Sequence, residues 1–161
     1  MRSHLYPILT CLLLLISACG GGSSSSNSES VNFDFSGTWE VRYNALEALT
    51  QMTCGNLFGE DSFAFIDTHE ISQSGATITL TAKSQVIIGT GEVDESGELT
   101  AVEILSGDLF GDGRMCTLTL TVSYQNVVEN RAETLFLQSL SCSDGLICED
   151  QAFGIATKAN A

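Results

Sequence analysis

Two groups of side chains in this 161-residue chain combine types and spacings that could do chemistry. The first is Asp67, His69 and Glu70. On a strand, Asp67 and His69 share a face and Glu70 points away. A carboxylate beside an imidazole can orient a general base, but no nucleophile motif accompanies this pair. A surface or hydrogen-bonded histidine is the expected role. The second is Asp108-Leu109-Phe110-Gly111-Asp112-Gly113, echoed by Asn56 to Asp61. A calcium loop needs a dense oxygen cage, yet Phe110 and Thr119 stand where two of its ligands belong. Solvated turns are the expectation, with a weak cation site at most. No glycine-rich phosphate loop and no metalloprotease helix motif is present. The chain is therefore expected to be no enzyme and to carry no cofactor and no metal.

The cysteines carry a clearer message. Four of the six lie in the body: Cys54, Cys116, Cys142 and Cys148. No CxxC spacing occurs, and His69 is the only histidine of the body, so a zinc site is a poor reading. Two disulfides in an exported protein are the better one. Four cysteines allow three pairings. The favoured one joins Cys54 to Cys116 and staples a hairpin with Cys142–Cys148.

The amino terminus supplies the export signal. Arg2 and His4 precede an apolar stretch from Ile8 to Ile16, and small residues follow. This pattern is a secretory leader, too short to span a bilayer as a stable helix. Ile16-Ser17-Ala18-Cys19 resembles the lipobox of bacterial lipoproteins. The resemblance implies cleavage before Cys19 and lipid on its thiol, with several acyl chains giving a stable anchor. Residues 1–18 then form the signal peptide, and 19–32 form a lipidated cysteine with a flexible Gly/Ser linker. Gly20 is not the aspartate associated with inner-membrane retention, so the expected location is the outer membrane, facing the periplasm or the cell surface.

Residues 33–161 have the length of one domain. The net charge is −14, and all 20 acidic residues follow Cys19. Such a surface keeps an exported domain soluble and disfavours nucleic acid and anionic lipid as partners. The membrane is met through lipid alone.

The elements that would position these residues are strands. The chain has no proline after Pro7, and its Thr-, Val- and Ile-rich runs alternate with period two. Cys116-Thr117-Leu118-Thr119-Leu120-Thr121-Val122 is the clearest, and Ala76 to Ala82 repeats it. Eight strands are predicted over 37–44, 63–73, 76–82, 85–94, 97–106, 114–125, 131–141 and 149–157. The one helix predicted is Ala45 to Met52. Short connections suggest an up-and-down meander closed into an antiparallel barrel, with a β-sandwich as the alternative. In the meander, all four body cysteines collect at one rim.

Phe35-Ser36-Gly37-Thr38-Trp39 resembles the G-x-W motif that opens lipocalins and related calycin barrels. The resemblance implies that Gly37 and Trp39 plug the closed end of an eight-stranded barrel. It also implies a basic residue from a late strand across the indole, a role expected of Arg131. In that resemblance 45–62 is a lid at the open mouth, whose Leu46, Leu49, Met52, Leu57 and Phe58 either cover a cavity or plug it, and a ligand cavity is expected to be lined by Val41, Tyr43, Ile78, Leu80, Leu118, Leu120 and Val122. The expected function is binding of a small hydrophobic ligand. The alternative is a packed structural or protein-interaction module of the envelope, with an envelope protein as partner. Replacing Cys19 by Ala should leave an unprocessed or soluble form on membrane fractionation. A variant processed and membrane-bound like the parent would contradict the anchor.

Overall fold

The computed structural model of the chain describes residues 33–50, 54, 64–84 and 87–159. The leader, Cys19 and the linker lie outside them, as do Met52, Leu57 and Phe58 of the expected lid and the acidic run 56–61. The described residues form β1 (Gly37–Tyr43), β2 (Glu47–Ala48), β3 (Phe65–Ser74), β4 (Thr77–Ala82), β5 (Ile87–Val93), β6 (Leu99–Gly107), β7 (Cys116–Val128), β8 (Arg131–Cys142) and β9 (Ile147–Lys158). The eight predicted strands are all present, with ends displaced by a few residues.

Sequential antiparallel pairing runs from β3 through β9, and β1 pairs with both β3 and β9. The sheet therefore closes into a barrel of eight strands, with β2 as a short addition on β9. That double pairing of β1 excludes the sandwich, which would leave two separate sheets. Strand alternation sends one parity inward. Val41, Leu80, Leu99, Leu140 and Ala152 are buried on that side, while Thr and charged residues of the other parity face water.

Over its described residues the predicted helix is not formed. Ala45 to Thr50 are not helical, and Glu47 and Ala48 pair with Gln151 and Asp150. The reason is the length of β9. Its pairing with β1 ends at Tyr43↔Gly154, which leaves the backbone groups of residues 149–153 open on that edge. Asn44 N–H donates to Phe153 O and Leu49 N–H to Glu149 O, both at 2.8 Å. Satisfying these groups outweighs a weak local helical preference.

The disulfides also differ from the expected pairing. They join Cys54 to Cys148 and Cys116 to Cys142, with Cα atoms 5.3 Å and 4.0 Å apart. Cys116 and Cys142 are direct partners across β7 and β8. Cys148 instead stands opposite Leu140, so the β8–β9 hairpin does not bring Cys142 and Cys148 face to face. The expectation that all four gather at one rim holds. Each bond closes a long loop and stabilises the fold by roughly 3 to 5 kcal/mol in chain-entropy terms. Such bonds fit an oxidising, extracytoplasmic compartment.

Closure also depends on two glycines in β5. A Cβ on Gly89 would press on Ala101 Cβ at 3.3 Å, and one on Gly91 would fall 1.8 Å from the Thr100 carbonyl oxygen. These glycines let β5 cross close over β6, where pairing runs only from Thr90↔Val102 to Val93↔Leu99. Gly91→Ala should lower stability by about 3 kcal/mol through overpacking. Urea unfolding monitored by circular dichroism reads this directly, and an unchanged midpoint would contradict the close crossing.

Candidate functional site

The interior below the cysteine rim is built by an unbroken series of rings. At the closed end, Trp39 lies 5.5 Å from Tyr124, and Phe35 lies 6.1 Å and 5.8 Å from the two of them. The Trp39 indole N–H donates to Phe35 O at 2.8 Å, so its one polar atom is satisfied in a site 1 % exposed. The series continues from Tyr124 through His69 to Tyr43, and from there to Phe65 and Phe136. Trp39 is buried among these rings, with Gly37 at φ 121 opening its strand.

The cation over the indole is not Arg131. Lys158 Nζ lies 5.7 Å from the Trp39 ring centroid and donates to Asp34 O at 3.0 Å. Arg131 has the outward parity of β8 and is exposed. Lys158 is the register partner of Trp39 across the β1–β9 closure, and it shares parity with the inward residues Ala152 and Ala156. The role belongs one strand later than expected.

The seven residues expected to line a ligand cavity turn inward and are packed, none more than 8 % exposed: Val41, Tyr43, Ile78, Leu80, Leu118, Leu120 and Val122. Among them the barrel carries a belt of polar side chains that the apolar expectation did not include. Asp67, His69, Tyr124 and Thr134 are each buried. They come from β3, β7 and β8, and Tyr43 of β1 completes the ring.

One side of the belt is a hydrogen-bonded chain. His69 Nδ1 lies 2.7 Å from the Tyr124 hydroxyl, and Nε2 lies 3.6 Å from Asp67 Oδ2. The tautomer that turns Nε2–H toward the carboxylate leaves Nδ1 to accept from the Tyr124 O–H. Asp67 Oδ1 accepts from the backbone N–H groups of Thr68 at 2.6 Å and Ser84 at 2.9 Å. Burial pushes the Asp67 carboxyl up, but His69 and the backbone and side chain of Ser84 outweigh it and draw it down to about 2. The charged form of Asp67 is the one the fold holds.

The other side of the belt is a pair of hydroxyls. Tyr43 Oη and Thr134 Oγ1 are buried and face each other, with no further hydrogen-bond partner among the described residues. Both residues flank Gly154, which pairs with Tyr43 on one side and Thr134 on the other. A Cβ on Gly154 would meet Tyr43 Cδ1 at 2.7 Å and Thr134 Oγ1 at 2.8 Å. Glycine there is what lets the two side chains converge. Burial pushes the Tyr43 hydroxyl well above its ordinary range; a hydrogen bond with the Thr134 hydroxyl tempers the rise and the Asp67 charge adds to it. Tyr124 is raised too, by burial first and then by Tyr43 and Asp67. Both phenols stay protonated. Higher on the same wall, Gln138 Nε2 donates to Asp150 Oδ2 at 3.0 Å.

The remaining sequence candidates separate from this belt. Glu70 faces outward and pairs with Lys83. In the acidic loop, Asp108 accepts from its own loop, at Asp112 N and Gly113 N. Arg114 bridges Asp112 and Asp144, which ties the loop to the β8–β9 turn at the same rim. These acids are occupied by backbone N–H groups and a guanidinium. Among the described residues no cluster of three or more potential metal ligands forms. Leu46 is buried, whereas Leu49 is 49 % exposed, so only part of the expected lid that is described tucks inward.

Tyr124, Thr134, Gln138 and Asp150 escaped the sequence reading. Their signal was parity: in β8, Thr134 and Gln138 share the face of Ala132, Phe136 and Leu140. A polar residue in register with an apolar face is a buried polar residue.

No protein-family model matches the chain, and no curated protein or solved structure matches it.

Asp67 gives this site a pH signature. Its folded value of about 2 lies below the ordinary 3.8. The stability it contributes is complete above the ordinary value and is lost as pH falls through the lower one. Asp67→Asn should destabilise the protein by about 1 to 3 kcal/mol at neutral pH. It should also flatten the fall in stability between pH 3.8 and about 2. Urea midpoints across that range compare the two; parallel acid limbs would show that Asp67 is not held in its charged form.

Proposed function

We propose that this chain is an exported bacterial lipoprotein, anchored through lipid on Cys19, whose lipocalin-like barrel takes a small, largely apolar molecule into its interior. The leader and the lipobox resemblance support the anchor, and the two disulfides fit the compartment. The outer membrane is the proposed location, with the linker holding the barrel clear of the headgroups.

The observation that carries ligand binding is the closed eight-strand barrel, whose inward face is apolar at Val41, Ile78, Leu80, Leu118, Leu120 and Val122. The surroundings are those of a small-molecule site: apolar and aromatic lining with few, placed polar groups. The Asp67–His69–Tyr124 chain is read as the support of this site rather than as a catalytic relay. The Tyr124 proton is committed to His69, and Tyr124 is 0 % exposed.

A second reading, an envelope interaction module, draws on one surface feature. Ile88 and Ile104 are 57 % and 63 % exposed where β5 and β6 part toward the rim, with Leu105 beside them at 40 %. Exposed apolar clusters of this kind mark contact surfaces.

Native mass spectrometry of the detergent-extracted, non-reduced protein separates the two. Ligand binding predicts a co-purifying small molecule that leaves when the protein unfolds. A protein that is consistently bare, whatever the extraction, would favour the contact surface.

A further inference from the structure

Resting on the reading of the β5–β6 patch as a contact surface, we infer that the open edge of β6 receives an extended segment of another protein, apolar at alternate positions and basic between them. The segment adds its backbone along Glu103 to Gly107 and meets the Glu103 carboxylate with a lysine or arginine. Pairing between β5 and β6 stops at Thr90↔Val102. Yet both strands run on toward the rim, β5 to Ile87 and β6 to Gly107. Each keeps its other neighbour to the end: β5 pairs with β4 as far as Ala82↔Ile87, and β6 with β7 as far as Gly107↔Cys116. Among the described residues no strand pairs with β6 beyond Val102 on the β5 side. A ladder continued in register would set Ile88 opposite Ile104. Instead the Ile88 N–H donates to Glu103 Oε2 at 3.0 Å. A side-chain carboxylate stands where a strand carbonyl belongs, which is how an exposed edge is kept from pairing without a partner.

Exposure and charge define the segment. Ile88 and Ile104 lie outward and exposed on either side of the parting. Leu105 shares the face of its partner Leu118, yet it is 40 % exposed, against 0 % and 2 % for Leu99 and Ala101 on the same face of β6. An added strand covers such positions with alternate apolar side chains, while its backbone supplies the affinity. Glu103 is the one charged residue of β6, and the stretch 87–91 of β5 has none. Once it gives up the Ile88 N–H, its carboxylate needs a cation. Asp108, which follows β6, is acidic too. Lys83 is engaged by Glu70, and Arg114 by Asp112 and Asp144. The cation therefore comes with the segment. A second copy of this chain is the wrong occupant, because each copy carries a net charge of −14 and its own acidic edge.

The test uses the full-length protein in detergent and amide-resolved nuclear magnetic resonance, titrating with end-blocked heptapeptides. One alternates valine with lysine, and one alternates valine with glutamate. The third is the lysine peptide with alternate backbone nitrogens methylated, which removes the donors of one edge. The lysine peptide should shift the amides of Ile88 and of Glu103 to Gly107, and bind about tenfold tighter than the glutamate peptide. Methylation should weaken it by about tenfold. Glu103→Gln keeps an acceptor for the Ile88 N–H and should cut the preference for lysine to about threefold or less. Ile104→Ser should weaken the lysine peptide by about fivefold. Equal binding of the methylated and parent lysine peptides at Ile88 and Ile104 would overturn strand addition while leaving the contact surface standing. Equal binding of the lysine and glutamate peptides would overturn the basic partner. Shifts centred elsewhere on the barrel would overturn the contact surface and the edge together, and no shift with any peptide would overturn the edge as a docking site. A dimer in light scattering that Ile104→Ser dissociates would make the occupant a second copy and overturn the proposal. Should either variant misfold, the ranking of the peptides on the parent protein decides.

Discussion

Closure of the sheet between β1 and β9 is the constraint from which the other features follow. An antiparallel barrel has one inside, and side chains alternate along every strand, so closure commits one parity of all eight strands to a shared interior. The same contact sets three local arrangements. It places Lys158 opposite Trp39 at the closed end and Gly154 opposite Tyr43 near the middle. It then leaves the upper edge of β9 free for the short strand Glu47–Ala48. The first connection is therefore fixed to β9 twice, by backbone pairing and by Cys54–Cys148.

Within that interior, volume and polarity are divided by depth. The closed half is filled by aromatic rings in edge and tilted contact, each worth more than its buried area alone. The half toward the rim is lined by leucines and the two disulfides. Between them runs the polar belt. One part of it is satisfied as Asp67–His69–Tyr124, which fixes the orientation of the rings it touches. The other part is the hydroxyl pair of Tyr43 and Thr134, which face each other. Low dielectric makes such a belt consequential, because satisfied groups stiffen the core.

Much of this was legible in the sequence, and the exceptions have common causes. Period-two alternation located the strands because Thr and apolar residues segregate by parity, as in Cys116 to Val122. The meander put the cysteines at one rim because alternate connections share an end. Their pairing was not legible, since it depends on register: Cys116 faces Cys142, while the hairpin sets Cys148 against Leu140. Register across the closing strands likewise decided that Lys158, not Arg131, covers Trp39. Ala45 to Thr50 has weak helical character that an open sheet edge overrides. The polar belt was readable in part. Asp67 and His69 drew notice by type, whereas Thr134 and Tyr124 looked ordinary until parity and closure set them beside Tyr43.

The central claim is that β1 closes the sheet by pairing with β3 on one side and β9 on the other. Inter-strand nuclear Overhauser contacts of the folded protein test it most directly. The account predicts contacts of Val41 with both Asp67 and Ala156, and of Tyr43 with both Phe65 and Gly154. Contacts of β1 with β3 but none with β9 would mean an open sheet and would contradict the account.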